Sequence, residues 1–290
     1  MSTPSDLQSL NNAKRISLTG KVQKSDVYLA LLILILCSFL SNRFESLGLA
    51  SFFITLVNTN LFVLLAFYVL LQLITLEPDT RPARLKDYIF FVCAALSLFV
   101  FGQTGSIYDI GFVTGGLALW FWTRRKAIRQ DQFIALVCFA LTLNILISPV
   151  LFQFFKSIIL IGEVDLIAFI WSSIGFNVWA DGQYLGTPGG MRIQLIGACS
   201  VFTNLSFGFL CYASMKAFNK SPMSFGDIKY VIILIVLLAV GNAIRIGLML
   251  PGYEAYVFWH TGDGATIFGI VQFIIIVLIS CISVLVRKKV

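Results

Sequence analysis

Charge is scarce in this chain. Of its 290 residues only 12% are Asp, Glu, Lys or Arg, while 58% are apolar. Apolar runs recur along almost the whole length, more than the core of a soluble domain requires. Histidine occurs once, which together with the absence of Cys or carboxylates at ligand spacing leaves too few groups for a metal site. The six cysteines form no CxxC pair and no disulfide framework. The Gly pairs in GGLALW and TPGG lack a phosphate-loop pattern, so nothing points to a nucleotide. Short alternating segments of the kind that build a transmembrane β-barrel are missing. No small-x-small cleavage site follows the first apolar run, Val27 to Leu40, so it reads as a retained span and not as a secretion signal.

What is present is a set of long apolar stretches. A bilayer core about 30 Å thick is crossed by about 20 residues of helix. The expected fold class is an all-α polytopic membrane protein with about eight transmembrane helices, at 26–41, 49–76, 87–103, 106–123, 131–154, 199–217, 228–250 and 266–286. Residues 1–25 form a polar tail and 26–290 a single integral-membrane domain. Basic residues set orientation, because cytoplasmic flanks retain them. All but four of the 21 fall on one side of this arrangement, the exceptions being Arg43, Lys156, Arg192 and Arg245. Both termini are therefore expected in the cytoplasm of a cell whose inner membrane holds the chain. The net charge of +7 is topological on this reading, with no nucleic-acid partner implied.

The long non-cytoplasmic segment runs from about Phe155 to Ala198. Its first part, 156–176, is apolar but interrupted by Glu163 and Asp165. It is expected to lie in the interface or to re-enter shallowly. Its second part carries the turn signals Asp181–Gly182 and Thr187–Gly190. Around these, Leu185, Ile193 and Leu195 alternate with Gln183, Arg192 and Gln194, the pattern of a small hairpin-like cap over the helices.

Three ionisable groups then reach one depth. Cys199 opens the sixth span, with Thr203 and Ser206 on its helical face. Asn242 and Arg245 share a face near the outer end of the seventh. His260 precedes the eighth, within an aromatic stretch that also suits a membrane interface. An arginine a turn or more inside an apolar span is costly, so it faces a partner or a wet cavity. Cys93, Cys138, Cys211 and Cys281 read as small buried hydrophobes, and Cys37 lies nearer the outer end of its span with no polar cluster beside it.

The order of a Cys entering one span, Asn-x-x-Arg ending the next and a His before the last resembles the exosortase/archaeosortase family of multi-span membrane cysteine enzymes. The likeness rests on ACS at Ala198–Ser200, NAIR at Asn242–Arg245 and His260, and covers roughly residues 130–285. His in the third position matches the bacterial exosortase-like branch, whereas archaeal members tend to place Arg there. Val201 stands where family members commonly have Gly, a departure that bears on subfamily and substrate motif. The resemblance implies a transpeptidase or protease acting on secreted proteins whose C-terminus carries a short motif, a transmembrane helix and a basic tail. Membrane lipid surrounds it, no cofactor is required, and the acyl acceptor is left open.

On that reading Cys199 is the nucleophile and His260 the general acid and base. Arg245 stabilises the thiolate and the tetrahedral oxyanion. Asn242 would orient Arg245, Ser200 or Thr203 would bond the substrate carbonyl, and Asp263 would orient the imidazole. Two rival readings stand beside it. One is a non-enzymatic transporter or assembly scaffold, whose polar candidates would be Asp109, Asn58, Asn60 and Asn144. The other is an acyltransferase acting on lipid or glycan.

Overall fold

The computed structural model describes residues 22–47, 61–76, 79–102, 108–123 and 129–286. Nine helices lie within them. They are α1 (Lys24–Leu47), α2 (Leu61–Leu76), α3 (Leu85–Gly102), α4 (Tyr108–Trp122), α5 (Arg129–Ser173), α6 (Val201–Phe218), α7 (Ile228–Leu248), α8 (Tyr253–His260) and α9 (Asp263–Leu285). Helix is the expected outcome for such runs, because a chain in hydrocarbon must satisfy its backbone polar groups within the segment. Three stretches are long and apolar enough to cross a membrane, Arg129–Ser173, Phe225–Leu248 and Asp263–Leu285, as in a multi-pass membrane protein. Leu61–Leu76 is apolar but shorter; the first part of the expected span 49–76 lies outside the described residues.

The tail joins the body earlier than expected. Lys24 N donates to Arg81 O at 3.1 Å, and Ser25 N to Asp79 O at 3.4 Å. Both side chains are buried, so 24 and 25 belong to the folded domain.

The largest correction concerns 156–176. The chain neither leaves the helix near 154 nor turns back. Instead α5 continues unbroken through 45 residues to Ser173, about 67 Å at 1.5 Å per residue, more than twice the thickness of a bilayer core. The expected span and the expected interfacial segment are one rod. Its one irregularity is a π turn at Leu143–Ile147. Pro149 follows within the helix; its missing N–H and its ring disturb the turn before it, and a widened turn accommodates this locally.

α6 is the central element and packs against α2, α5, α7 and α9. The largest core cluster gathers α1 to α4 and the first part of α5 around the C-terminal half of α6. A second cluster sits at the opposite end and includes the cap. There β1 (Trp179–Asp181), β2 (Tyr184–Gly186) and β3 (Arg192–Gln194) form an antiparallel sheet in the order β1-β2-β3. Trp179 pairs with Gly186, and Leu185 with both Ala180 and Ile193. The hairpin-like cap is thus three-stranded, and the two turns fall where Gly182 and Gly189 take positive φ of 58° and 72°. Alternation decides its faces: Leu185, Ile193 and Leu195 are buried, Arg192 and Gln194 exposed. The buried side chains pack on Leu160, Val164 and Ile167 of α5, on Ala243 and Ile246 of α7, and on Cys199.

Candidate active site beneath the cap

Cys199 does not start a helix. It ends a single 3-10 turn, Gly197–Cys199, which links the cap to α6. Ser200 is extended, and its hydroxyl accepts from Phe202 N at 3.1 Å, an N-cap for α6. The thiol is buried, at 7% exposure, within the apolar cluster under the sheet. Its Sγ lies 3.6 Å from Nε2 of His260, within reach for a sulfur hydrogen bond.

His260 is positioned by a short helix within the aromatic stretch ahead of the last span. It is the last residue of α8, and its ring stacks on Tyr256 one turn earlier, at 4.8 Å between centroids and 12° between planes. Arg245, on α7, fixes the end of that helix. Its Nε donates to Trp259 O at 3.0 Å and its Nη2 to His260 O at 3.3 Å. A cation here meets carbonyls left free at a helix C-terminus. The guanidinium also lies 5.4 Å from the centroid of Phe268. Among the described residues no carboxylate forms an ion pair with Arg245.

Asn242 departs from its expected role. It is buried, and Nδ2 donates to the backbone carbonyl of Cys199 at 2.8 Å, so it holds the nucleophile turn and not Arg245. Ser200 is also engaged elsewhere. While capping α6 it donates to Glu163 Oε1 at 2.6 Å, which leaves its hydroxyl no proton for a substrate carbonyl. Thr203 lies on the first turns of α6, with its side chain outside the described ones. Asp263 opens α9, where a carboxylate suits the N-terminus, and among the described residues it makes no hydrogen bond with His260. Ser206, on the same helical face, accepts from Asn144 Nδ2 at 2.9 Å, which ties the π turn to α6.

α5 and α7 are locked together beside these groups. A Cβ on Gly247 would come within 1.9 Å of the Trp171 ring, so only glycine admits the indole here. Trp171 Nε1 donates to Ala243 O at 2.9 Å. Glu163, Trp171 and Tyr256 were missed by the sequence reading. Of the three only Glu163 carried a signal, as an ionisable residue inside an apolar stretch, and it was taken for a marker of the interface.

The electrostatics of the pair follow from burial. Cys199 and His260 both lie outside the long apolar helices. Burial pushes the Cys199 thiol above its ordinary value; an N–H of Ile196 and the Arg245 charge oppose that rise, and Glu163 adds to it. His260 is held below the usual imidazole range, first by burial and then by Arg245. The resting pair is therefore a thiol facing a neutral imidazole, the combination from which a base can draw a thiol proton.

Of the transporter candidates, Asp109 is buried with an unpartnered Oδ2, Asn144 is engaged as above, and Asn58 and Asn60 lie outside the described residues. No family profile matches the chain, and neither a curated protein nor a solved structure is similar to it.

Proposed function

We propose that the chain is a membrane-embedded cysteine transpeptidase or protease of the exosortase-like kind, cleaving C-terminal sorting signals of secreted proteins at the outer face of the cytoplasmic membrane. The observation that carries this reading is the 3.6 Å approach of Cys199 Sγ to His260 Nε2, in a buried turn whose backbone is held by Asn242 and whose imidazole-bearing helix is held by Arg245.

The chemistry proceeds in two halves. Neutral Nε2 takes the thiol proton, and the thiolate adds to the scissile carbonyl of the substrate. The tetrahedral oxyanion forms in a site whose permanent cation, Arg245, makes no ion pair among the described residues, so its field favours both negative species. Collapse breaks the C–N bond, and the imidazolium gives its proton to the departing amine. The resulting thioester is then attacked by water or an incoming amine, whose proton passes to Nε2, and the thiol returns. A substrate anchored by its own transmembrane helix would present its scissile bond at the cap end of the bundle.

Cys199→Ala is the direct test. In a strain or proteoliposome carrying a cognate substrate, the variant is expected to insert and remain folded while processing falls below detection. A variant that processes normally ends the assignment. Mass analysis of the adduct that accumulates on wild-type Cys199, peptide or lipid, separates this reading from acyl transfer to lipid or glycan.

A further inference from the structure

Among the described residues Glu163 is the one carboxylate that reaches the nucleophile turn. It stands on α5, a different helix from those bearing Cys199, Arg245 and His260, and its Oε1 accepts the Ser200 hydroxyl proton at 2.6 Å. Its other oxygen, Oε2, is buried and has no hydrogen-bond partner. The same Ser200 hydroxyl caps α6 by accepting from Phe202 N, so the residue after the nucleophile is held at both faces of its oxygen. From the opposite side Asn242 holds the Cys199 carbonyl at 2.8 Å. Two helices thus hold consecutive residues, Cys199 and Ser200, beside the thiol that faces His260.

We propose that Glu163 is the positioning residue of the nucleophile: through Ser200 it fixes the Cys199 turn against His260. This rests on the cysteine-enzyme reading above for its catalytic meaning, though its physical content stands apart from it. The groups that face the thiol are Glu163 from α5, Arg245 from α7, His260 from α8 and the Ile196 amide within the connecting segment. Arg245 and the amide favour negative sulfur, and Glu163 disfavours it. A carboxylate set against a permanent cation holds down the thiolate fraction of the resting pair, which slows its oxidation and non-specific acylation.

The geometric and electrostatic roles separate by substitution. Glu163→Gln keeps an oxygen for Ser200 and removes the charge. Glu163→Ala and Ser200→Ala remove the clamp, and Ser200→Thr restores a hydroxyl. The experiment is iodoacetamide alkylation of the full-length protein in detergent across pH, read by mass analysis of the Cys199 peptide, alongside processing of a sorting-signal substrate. In Glu163→Gln the midpoint of Cys199 alkylation is expected to fall by about half to one pH unit. Processing in Glu163→Ala and Ser200→Ala is expected to drop about tenfold or more through kcat with KM little changed, and Ser200→Thr recovers most of it. An unchanged midpoint in Glu163→Gln overturns the electrostatic role. Wild-type processing in Glu163→Ala overturns the clamp. A lowered midpoint in a protein whose wild-type form cleaves no sorting signal leaves Glu163 in place and removes the enzyme reading instead.

Discussion

The two ends of α6 carry polar networks of opposite character. At the end away from the cap, Lys216 and Asp227 are almost wholly buried, at 0% and 4% side-chain exposure, and pair at 2.5 Å. Asp227 takes in addition the Tyr212 hydroxyl at 2.9 Å, Ser224 N at 2.6 Å and Ser224 Oγ at 3.1 Å, closing a capping box where α7 begins. Cation meets anion, and the anion has several donors. At the cap end the charges do not cancel. Among the described residues Arg245 bonds two carbonyls and lies against the Phe268 ring without an ion pair, the thiol and imidazole sit at 3.6 Å, and one oxygen of Glu163 has no donor. Both networks are buried in the same helix bundle. One centres on a cation directly paired with an anion, and the other is arranged to receive negative charge. Buried polar networks that are fully satisfied specify a structure; those left with an unpaired charge and a perturbed titratable group are where function concentrates.

If that contrast holds, substitutions at the two ends should fail in different ways. The largest effect is expected at the ion pair. Asp227→Asn leaves Lys216 charged in a dry site and should cost about 3–5 kcal/mol of stability, seen as a lowered unfolding temperature in detergent, while protein that stays folded keeps its Cys199 alkylation profile. Arg245→Gln should behave the other way, with processing down about 10- to 100-fold and the unfolding temperature shifted far less than for Asp227→Asn.

The pH profile sharpens the second case. His260 works as a neutral base, and its proton affinity is lowered by burial and by Arg245. Activity in the wild type should therefore persist below about pH 6.5, the ordinary imidazole value, and be lost only as pH falls through the lowered one. Removing the Arg245 charge lifts His260 back toward that ordinary value, so the acid limb of Arg245→Gln should move to higher pH. The smallest effect is expected from replacing both ion-pair partners, Lys216→Met with Asp227→Leu. Apolar residues of similar size do not leave a lone charge behind, so stability should return to within about 2 kcal/mol of wild type.

Much of the bundle was legible from the chain because its rule is one-dimensional. Most expected spans fall on helices, and the alternation at 183–195 marked the sheet and its buried face. The failures have specific causes. The end of the fifth span was placed at 154 because Glu163 and Asp165 looked too polar for a continuing helix. Within the fold Glu163 meets Ser200, a residue 37 positions on, and no local pattern announces that partner. The aromatic stretch that forms α8 carried no helical signal of its own, since its eight residues bury no complete face; its end is held by Arg245, which belongs to another helix. Asn242 and Arg245 were linked by their spacing on one helical face, yet each bonds across to a different segment.

The sequence by itself determined that the backbone would be helical and membrane-compatible, and that a thiol, a guanidinium and an imidazole would be carried at the ends of successive segments. Hydrophobic run length and residue order suffice for that, since both are properties of the chain taken one segment at a time. Only the tertiary structure decided which groups touch: that Cys199 sits in a turn ahead of α6, that Arg245 grips the helix bearing His260, and that Glu163 reaches Ser200. Those are distances between segments, set by how side chains interlock at helix crossings such as Gly247 against Trp171, and packing of that kind depends on volumes and directions that linear spacing does not encode.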